Sequence, residues 1–105
     1  NIIANISRIS VNASLWESTT GQLGTRYFQF KADNDTTKPN SFNWSASQNT
    51  WANFSQVGVQ NKTLIGYLDY NDSHDNAEID IRLEVPINEP PGTKSVSIYV
   101  TGEGS

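Results

Sequence analysis

The chain has 105 residues without cysteine or methionine, and its 7 Lys and Arg against 11 Asp and Glu give a formal net charge of −4. This length fits one domain, and the lack of cysteine excludes a disulfide framework, a thiolate metal site and a cysteine nucleophile. The few, scattered basic residues lack the positive patch that a phosphate backbone requires, so we expect no nucleic acid partner.

The apolar content predicts a folded chain that does not span a membrane. Leu, Ile, Val and Phe supply 24 of the 105 residues, above the roughly 20% below which chains tend to be disordered. No run of about 18 apolar residues exists, so we expect no membrane-spanning helix. An opening Asn1 in place of Met fits a mature product whose targeting segment has been removed, and equally a trimmed chain.

The N-terminal segment changes phase between two alternating patterns. Ile2, Ala4 and Ile6 alternate in even positions, whereas the next apolar residues, from Ile9 and Val11 onward, occupy odd positions. A shift of one residue turns every side chain to the other face of a sheet. Two interpretations stay open: one strand with a bulge or a crossing between sheets, or a separate strand, residues 1–6, donated to a neighbouring copy ahead of a domain formed by residues 7–105.

Period-2 alternation continues along the chain and predicts about seven short strands. The clearest two are residues 77–87 and 94–101, and Pro91 with Gly92 predicts a tight connection between them. Such a pattern favours an all-β, two-sheet sandwich with no more than single helical turns. The core is predicted to contain the following residues: Ile9, Val11, Phe28, Phe30, Phe42, Trp44, Leu68, Ile79, Ile81, Leu83, Val96, Ile98 and Val100.

Two resemblances refine this prediction, and the first implies that the sandwich is immunoglobulin-like. The segments 81–86, 90–93 and 97–101 look like the last hairpin of immunoglobulin-like domains from archaeal and bacterial cell-surface proteins, although the immunoglobulin cysteine pair is absent. In size, strand content and number of glycosylation sequons the chain is also similar to archaeal filament subunits that assemble by strand donation. The second resemblance implies a homopolymer of identical subunits outside the cell, with Ile2, Ala4 and Ile6 in the subunit interface.

Seven Asn-X-Ser/Thr sequons predict N-linked glycosylation, whereas composition alone predicts about 2.4. Strand alternation points several of these asparagines away from the core, as a bulky hydrated glycan requires. The competing interpretation is that turns rich in Asn, Ser and Thr produce unused sequons. The predicted sites are Asn5, Asn12, Asn34, Asn43, Asn53, Asn61 and Asn71.

An acidic turn offers a weak candidate site for calcium, through Asp69, Asn71, Asp72 and Asp75. Carboxylate and amide oxygens are the ligands that Ca²⁺ prefers, but the glycine and glutamate of a calcium loop are missing, so an ordinary acidic turn is the favoured interpretation. The single histidine, His74, lies in this turn without a nucleophile motif. We therefore expect neither catalysis nor a required cofactor.

Aromatic residues support a competing function. Trp51, Tyr27 and Tyr99 are out of phase with their apolar neighbours and are predicted to face outward, where they can stack on sugar rings or contact another subunit. Two functions therefore remain: a structural subunit of an extracellular glycosylated filament or surface layer, and a carbohydrate-binding or adhesive module of a larger surface protein. Trp16 and Phe54 are assigned to the core.

Overall fold

A computed structural model of the chain describes residues 3–35, 45–55, 57–58, 60–69 and 76–104. In these residues the fold is all-β, with two three-stranded antiparallel sheets and one short 3₁₀ turn, Thr19–Gly21. Sheet A has the strand order β4-β1-β6, and sheet B has the order β3-β2-β5. The strands are β1 (Ile3–Val11), β2 (Phe28–Asp33), β3 (Ala52–Asn53), β4 (Gln60–Asp69), β5 (Glu78–Leu83) and β6 (Ile98–Gly104).

The two sheets bury their alternating apolar faces against each other. Within β2, the buried residues Phe28, Phe30 and Ala32 alternate with partly exposed ones, as the period of a strand requires. The Phe54 ring lies between the sheets, with its centroid 4.3 Å from Phe28 and 4.7 Å from Phe30. The buried core comprises Ile9, Val11, Phe28, Phe30, Ala32, Phe54, Leu64 and Ile65.

The phase change near the N-terminus is accommodated within a single strand. β1 pairs with β4 on one side and β6 on the other, and its register shifts between Ala4 and Ile6 and again between Ile6 and Arg8. The shifts allow Ile6 to be partly buried while Ile9 is fully buried. In the isolated chain, therefore, residues 3–6 pair within their own molecule, as the bulge interpretation predicts.

The predicted tight connection between the last two strands is wrong. β5 and β6 lie where strands were predicted, but they belong to different sheets and are joined by the long segment 84–97. Pro91 and Gly92 do form a bend, yet the chain on either side is held against another part of the molecule, as described below.

Six strands are present in the described residues, against about seven predicted. The predicted core residues Phe42 and Trp44 lie outside the described part of the chain. Leu68, Ile79 and Val96 are partly buried against the core. Among the residues that the structure describes, no helix is long and apolar enough to cross a membrane.

Candidate functional site: an open seam between β5 and β6

One side of the sandwich is closed by a short backbone bridge. The Ala32 amide of β2 donates to the Gln48 carbonyl at 2.6 Å, and the Gln48 amide donates to the Leu64 carbonyl of β4 at 2.9 Å. The Gly66 amide donates to the Ser47 hydroxyl at 3.0 Å. Residues 47–48 therefore join sheet B to sheet A along this side.

The opposite side of the sandwich is open. β6 is the strand of sheet A farthest from the bridge, and β5 is the corresponding strand of sheet B. Within the described residues, no hydrogen-bonded ladder joins these two strands. Each therefore has one edge of backbone N–H and C=O groups to which no described strand is paired. We call the space between β5 and β6 the open seam.

Apolar side chains of both sheets line the open seam. Ile81 and Leu83 pair with the buried Phe30 and Phe28, so they occupy the core face of sheet B. Val100 and Ile98 pair with the buried Ile9 and Val11, so they occupy the core face of sheet A. Their exposed fractions are 39% for Ile81 and Ile98, 47% for Val100 and 56% for Leu83.

These exposures correct the predicted core. The sequence indicates the correct face for Ile81, Leu83, Ile98 and Val100, but that face is not covered. The reason is that the core face of an edge strand is buried only if the opposing sheet extends over it. Here both sheets end at the seam, so neither covers the edge strand of the other.

Two more apolar residues are exposed after the end of β5. Val85 is 68% exposed and Ile87 is 90% exposed. Scattered exposed apolar residues are ordinary on protein surfaces, but neighbouring ones mark an interaction site or an aggregation hazard. Because Ile81 and Leu83, and likewise Ile98 and Val100, are neighbours on one face of a strand, the open seam is a candidate interaction site.

A buried ion pair holds the β5–β6 connection in place. The Glu89 carboxylate has a side-chain exposure of only 4%, and it accepts a 2.9 Å hydrogen bond from Lys94. It also accepts hydrogen bonds from the backbone amides of Glu17, at 2.9 and 3.1 Å, and Ser18, at 3.1 Å. We call this group the Glu89 clasp. It ties the segment 84–97 to the loop before the 3₁₀ turn.

The clasp changes the acidity of its members. Burial raises the pKa of Glu89, but the hydrogen bonds from the Glu17 amide, Lys94 and the Ser18 amide lower it more strongly, from the ordinary value of 4.5 to about 2. The hydrogen bond to Glu89 raises the pKa of Lys94 above its ordinary value, against a smaller opposing effect of burial. Both groups are therefore charged throughout the neutral range.

A second contact holds the start of the same connection. The Tyr27 carbonyl accepts hydrogen bonds from the Glu84 amide at 3.1 Å and from the Trp16 indole at 2.9 Å. Pro86 is buried beside Trp16 and Gly21, and a Cβ atom added at Gly21 would clash with the Pro86 ring. These contacts direct the chain away from a hairpin after β5, so that β6 begins in the other sheet.

The predicted interface residues fall partly within the described structure. Ile2 lies outside it, whereas Ala4 and Ile6 are in the first part of β1. The backbone of Ala4 pairs with Leu68 and Gly104, on the two neighbouring strands. Ile6 is partly buried against the core, whereas Ile9 and Val11 in the later part of β1 are fully buried.

The predicted glycosylation sites have different environments. Asn5 and Asn12 are exposed, and Asn34 and Asn53 are half-buried. Asn61 lies in β4. The remaining two, Asn43 and Asn71, lie outside the described residues.

The three aromatic residues do not form one surface. Asn53 pairs with Gln29 on the outer face of sheet B, and Trp51 lies on this face with Lys31 Nζ 5.0 Å from its ring centroid. Tyr99 pairs with Ser10 on the outer face of sheet A. Trp51 is 37% exposed and Tyr99 53%, as predicted, whereas Tyr27 is half-buried.

The calcium candidate cannot be assembled from the described residues. Asp69 ends β4, and its three proposed partners, Asn71, Asp72 and Asp75, lie outside the described part of the chain together with His74. In the part that is described, no three His, Cys, Asp or Glu side chains are placed to hold a metal ion.

The sequence reasoning missed the open seam and the Glu89 clasp. A signal for the clasp was present, because Glu89 and Lys94 flank Pro90-Pro91-Gly92 and are the only charged residues in segment 86–97. Their partners near Glu17 are distant in sequence and follow no period.

No model of a known protein family, no curated protein and no solved structure matches the chain.

Proposed function

We propose that the chain is a non-enzymatic structural subunit of an extracellular filament or surface layer, in which each subunit receives a β-strand from the next. The observation that carries the proposal is the open seam. Two edge strands expose their core faces toward the same space, where one more extended segment pairs with an edge and covers both faces. Strand addition of this kind gains main-chain hydrogen bonds and buries alternating side chains.

The donor in this proposal is residues 1–6 of a neighbouring copy. Ile2, Ala4 and Ile6 have the two-residue spacing that an extended strand needs to place apolar side chains along one face. The register shifts separate this segment from the core part of β1, so it can leave its own sheet while Ile9 and Val11 stay buried. A contact from the start of one copy to the seam of the next is head-to-tail and propagates into a filament.

The size of the apolar contribution is sufficient for association. Full burial of an aliphatic side chain contributes about 1.5–3 kcal/mol. The exposed fractions of Ile81, Leu83, Ile98 and Val100 together equal nearly two such side chains, so covering them contributes roughly 3–5 kcal/mol. Burial of Ile2 and Ile6 of the donor adds to this value, whereas breaking the pairs of residues 3–6 within their own sheet opposes it.

The proposal is tested with a chain that lacks residues 1–6. We expect the truncated protein to be monomeric in sedimentation velocity and the full chain to form filaments visible by negative-stain electron microscopy. A synthetic peptide of residues 1–7 should bind the truncated protein and raise its melting temperature, whereas the same peptide with Ile2 and Ile6 replaced by Ser should not. Filaments of the truncated protein, or equal effects of the two peptides, would refute strand donation.

The carbohydrate-binding alternative is favoured by no specific contact. Trp51 and Tyr99 lie on opposite outer faces of the sandwich, so they cannot stack on one sugar. The Trp51 ring is also approached by two cations, Lys31 at 5.0 Å and Arg82 at 5.8 Å from its centroid. If the protein is monomeric, binds to a glycan array and loses this binding on Trp51→Ala, the result would support the carbohydrate-binding alternative against our proposal.

A further inference from the structure

The hydrogen bonds of Asn12 and Asn53 use different atoms of the side-chain amide. Both residues begin a sequon, Asn12-Ala13-Ser14 and Asn53-Phe54-Ser55. An N-linked glycan is attached to the amide nitrogen Nδ2, and it needs space and water around that atom. Whether Nδ2 is exposed or hydrogen-bonded in the folded protein therefore distinguishes one sequon from another.

The amide of Asn12 leaves its nitrogen available. Its Oδ1 accepts a 2.9 Å hydrogen bond from the Ser97 amide, and the Asn12 backbone amide donates to the Ser97 carbonyl at 3.3 Å. The side chain therefore extends the β1–β6 ladder through its oxygen alone. Asn12 is exposed, and no hydrogen bond from the described residues engages its Nδ2. A glycan on Nδ2 preserves every one of these contacts.

Both polar atoms of the Asn53 side-chain amide form hydrogen bonds. Its Oδ1 accepts from Gln29 Nε2 at 2.8 Å, and its Nδ2 donates to the Gly24 carbonyl at 3.2 Å. The same region is fixed by the Gly24 amide, which donates to the Phe54 carbonyl at 2.6 Å. Asn53 is half-buried. A glycan on its Nδ2 leaves that atom one hydrogen and adds bulk beside the Gly24 carbonyl, so it competes with the bond to this loop, next to the buried Phe54.

We propose that the sequons divide into carriers and structural residues: Asn5 and Asn12 carry N-linked glycans, whereas Asn53 stays unmodified and serves to join β3 to β2 and the loop at Gly24. Asn5 belongs with the carriers because it is exposed on β1. Asn5 lies in β1 of sheet A and Asn12 directly follows that strand, whereas Asn53 lies on the outer face of sheet B. The two assigned glycans therefore lie at sheet A, and the inference does not depend on strand donation.

The test is secretion of the full chain from a host that has an oligosaccharyltransferase, followed by glycopeptide mapping. We expect glycans at Asn5 and Asn12 and an unmodified Asn53. Asn12→Asp should remove one glycan from the intact mass. Ser55→Ala, which destroys the Asn53 sequon but keeps Asn53, should leave the mass lower only by the one oxygen atom. A glycan at Asn53, or an empty Asn5 or Asn12, would overturn the assignment.

Protein made in a host without this enzyme tests the structural half of the proposal. Aspartate keeps Oδ1 and replaces Nδ2 by an acceptor, so Asn12→Asp retains its bond to the Ser97 amide and Asn53→Asp loses its bond to the Gly24 carbonyl. We expect Asn53→Asp to lower the melting temperature by roughly 2–8 °C and Asn12→Asp to leave it nearly unchanged. Equal shifts for the two variants would contradict the distinction between them.

Discussion

The open seam makes a quantitative prediction about the double variant Leu83→Ser/Val100→Ser. Leu83 lies on the core face of sheet B and Val100 on that of sheet A, and they are 56% and 47% exposed in the single chain. About half of their apolar area is therefore still exposed and becomes buried when a donated strand is added. At about 1.5–3 kcal/mol for a fully buried side chain, the lost contribution to assembly is roughly 1.5–3 kcal/mol for the pair.

A loss of this size weakens each subunit contact by about 10- to 150-fold, because every 1.4 kcal/mol corresponds to a factor of ten in the dissociation constant. The folded subunit should lose only the contribution of the area that is already covered, about 1 kcal/mol for each residue. By comparison, Leu64→Ala removes a side chain with no exposed area and should cost about 2–5 kcal/mol. Leu83→Ser/Val100→Ser is thus expected to cost assembly and folding similar amounts, about 2 kcal/mol each, so its assembly has to be measured at a temperature at which the variant is folded.

The assay is sedimentation velocity over a concentration series, with thermal unfolding of the same samples. Tyr99→Ser provides the matched control, because Tyr99 is in the same strand as Val100 and is similarly exposed but lies on the outer face. We expect the control to assemble as the parent does. Unchanged assembly of Leu83→Ser/Val100→Ser, or an equal loss in Tyr99→Ser, would show that the seam is not the acceptor.

Three further predictions concern stability. The pKa of Glu89 is lowered from 4.5 to about 2 in the folded protein, so the stabilising effect of its carboxylate is complete above pH 4.5 and is lost as the pH falls toward 2. Chemical denaturation at a series of pH values should show this decrease in the free energy of unfolding, and Glu89→Gln should reduce the decrease. Gly21→Ala should lower the free energy of unfolding by about 1–3 kcal/mol, because the new Cβ clashes with the Pro86 ring; an unchanged urea midpoint would contradict this contact. Phe54→Ala should cost about 3–5 kcal/mol, because Phe54 is fully buried between the sheets; a smaller loss in urea denaturation would mean that the core collapses around the cavity.

Local patterns in the sequence determined which side of each strand is apolar. The alternation at Phe28 and Phe30 predicts the buried face of β2, and that at Ile81 and Leu83 predicts the same face of β5. The phase change between Ile6 and Ile9 predicts an irregularity, and one of the register shifts of β1, between Ile6 and Arg8, lies there. These predictions succeed because side-chain direction in a strand depends only on the parity of the position.

The same patterns did not determine the candidate site, because parity does not specify what covers a face. Ile98 and Val100 were placed correctly on the core face, yet the opposing sheet ends before it covers them. The assignment of β5 and β6 to different sheets depends on contacts between residues that are far apart in sequence, above all Glu89 with the amides of Glu17 and Ser18. Such contacts form only when the chain is folded, so the seam is a property of the tertiary structure.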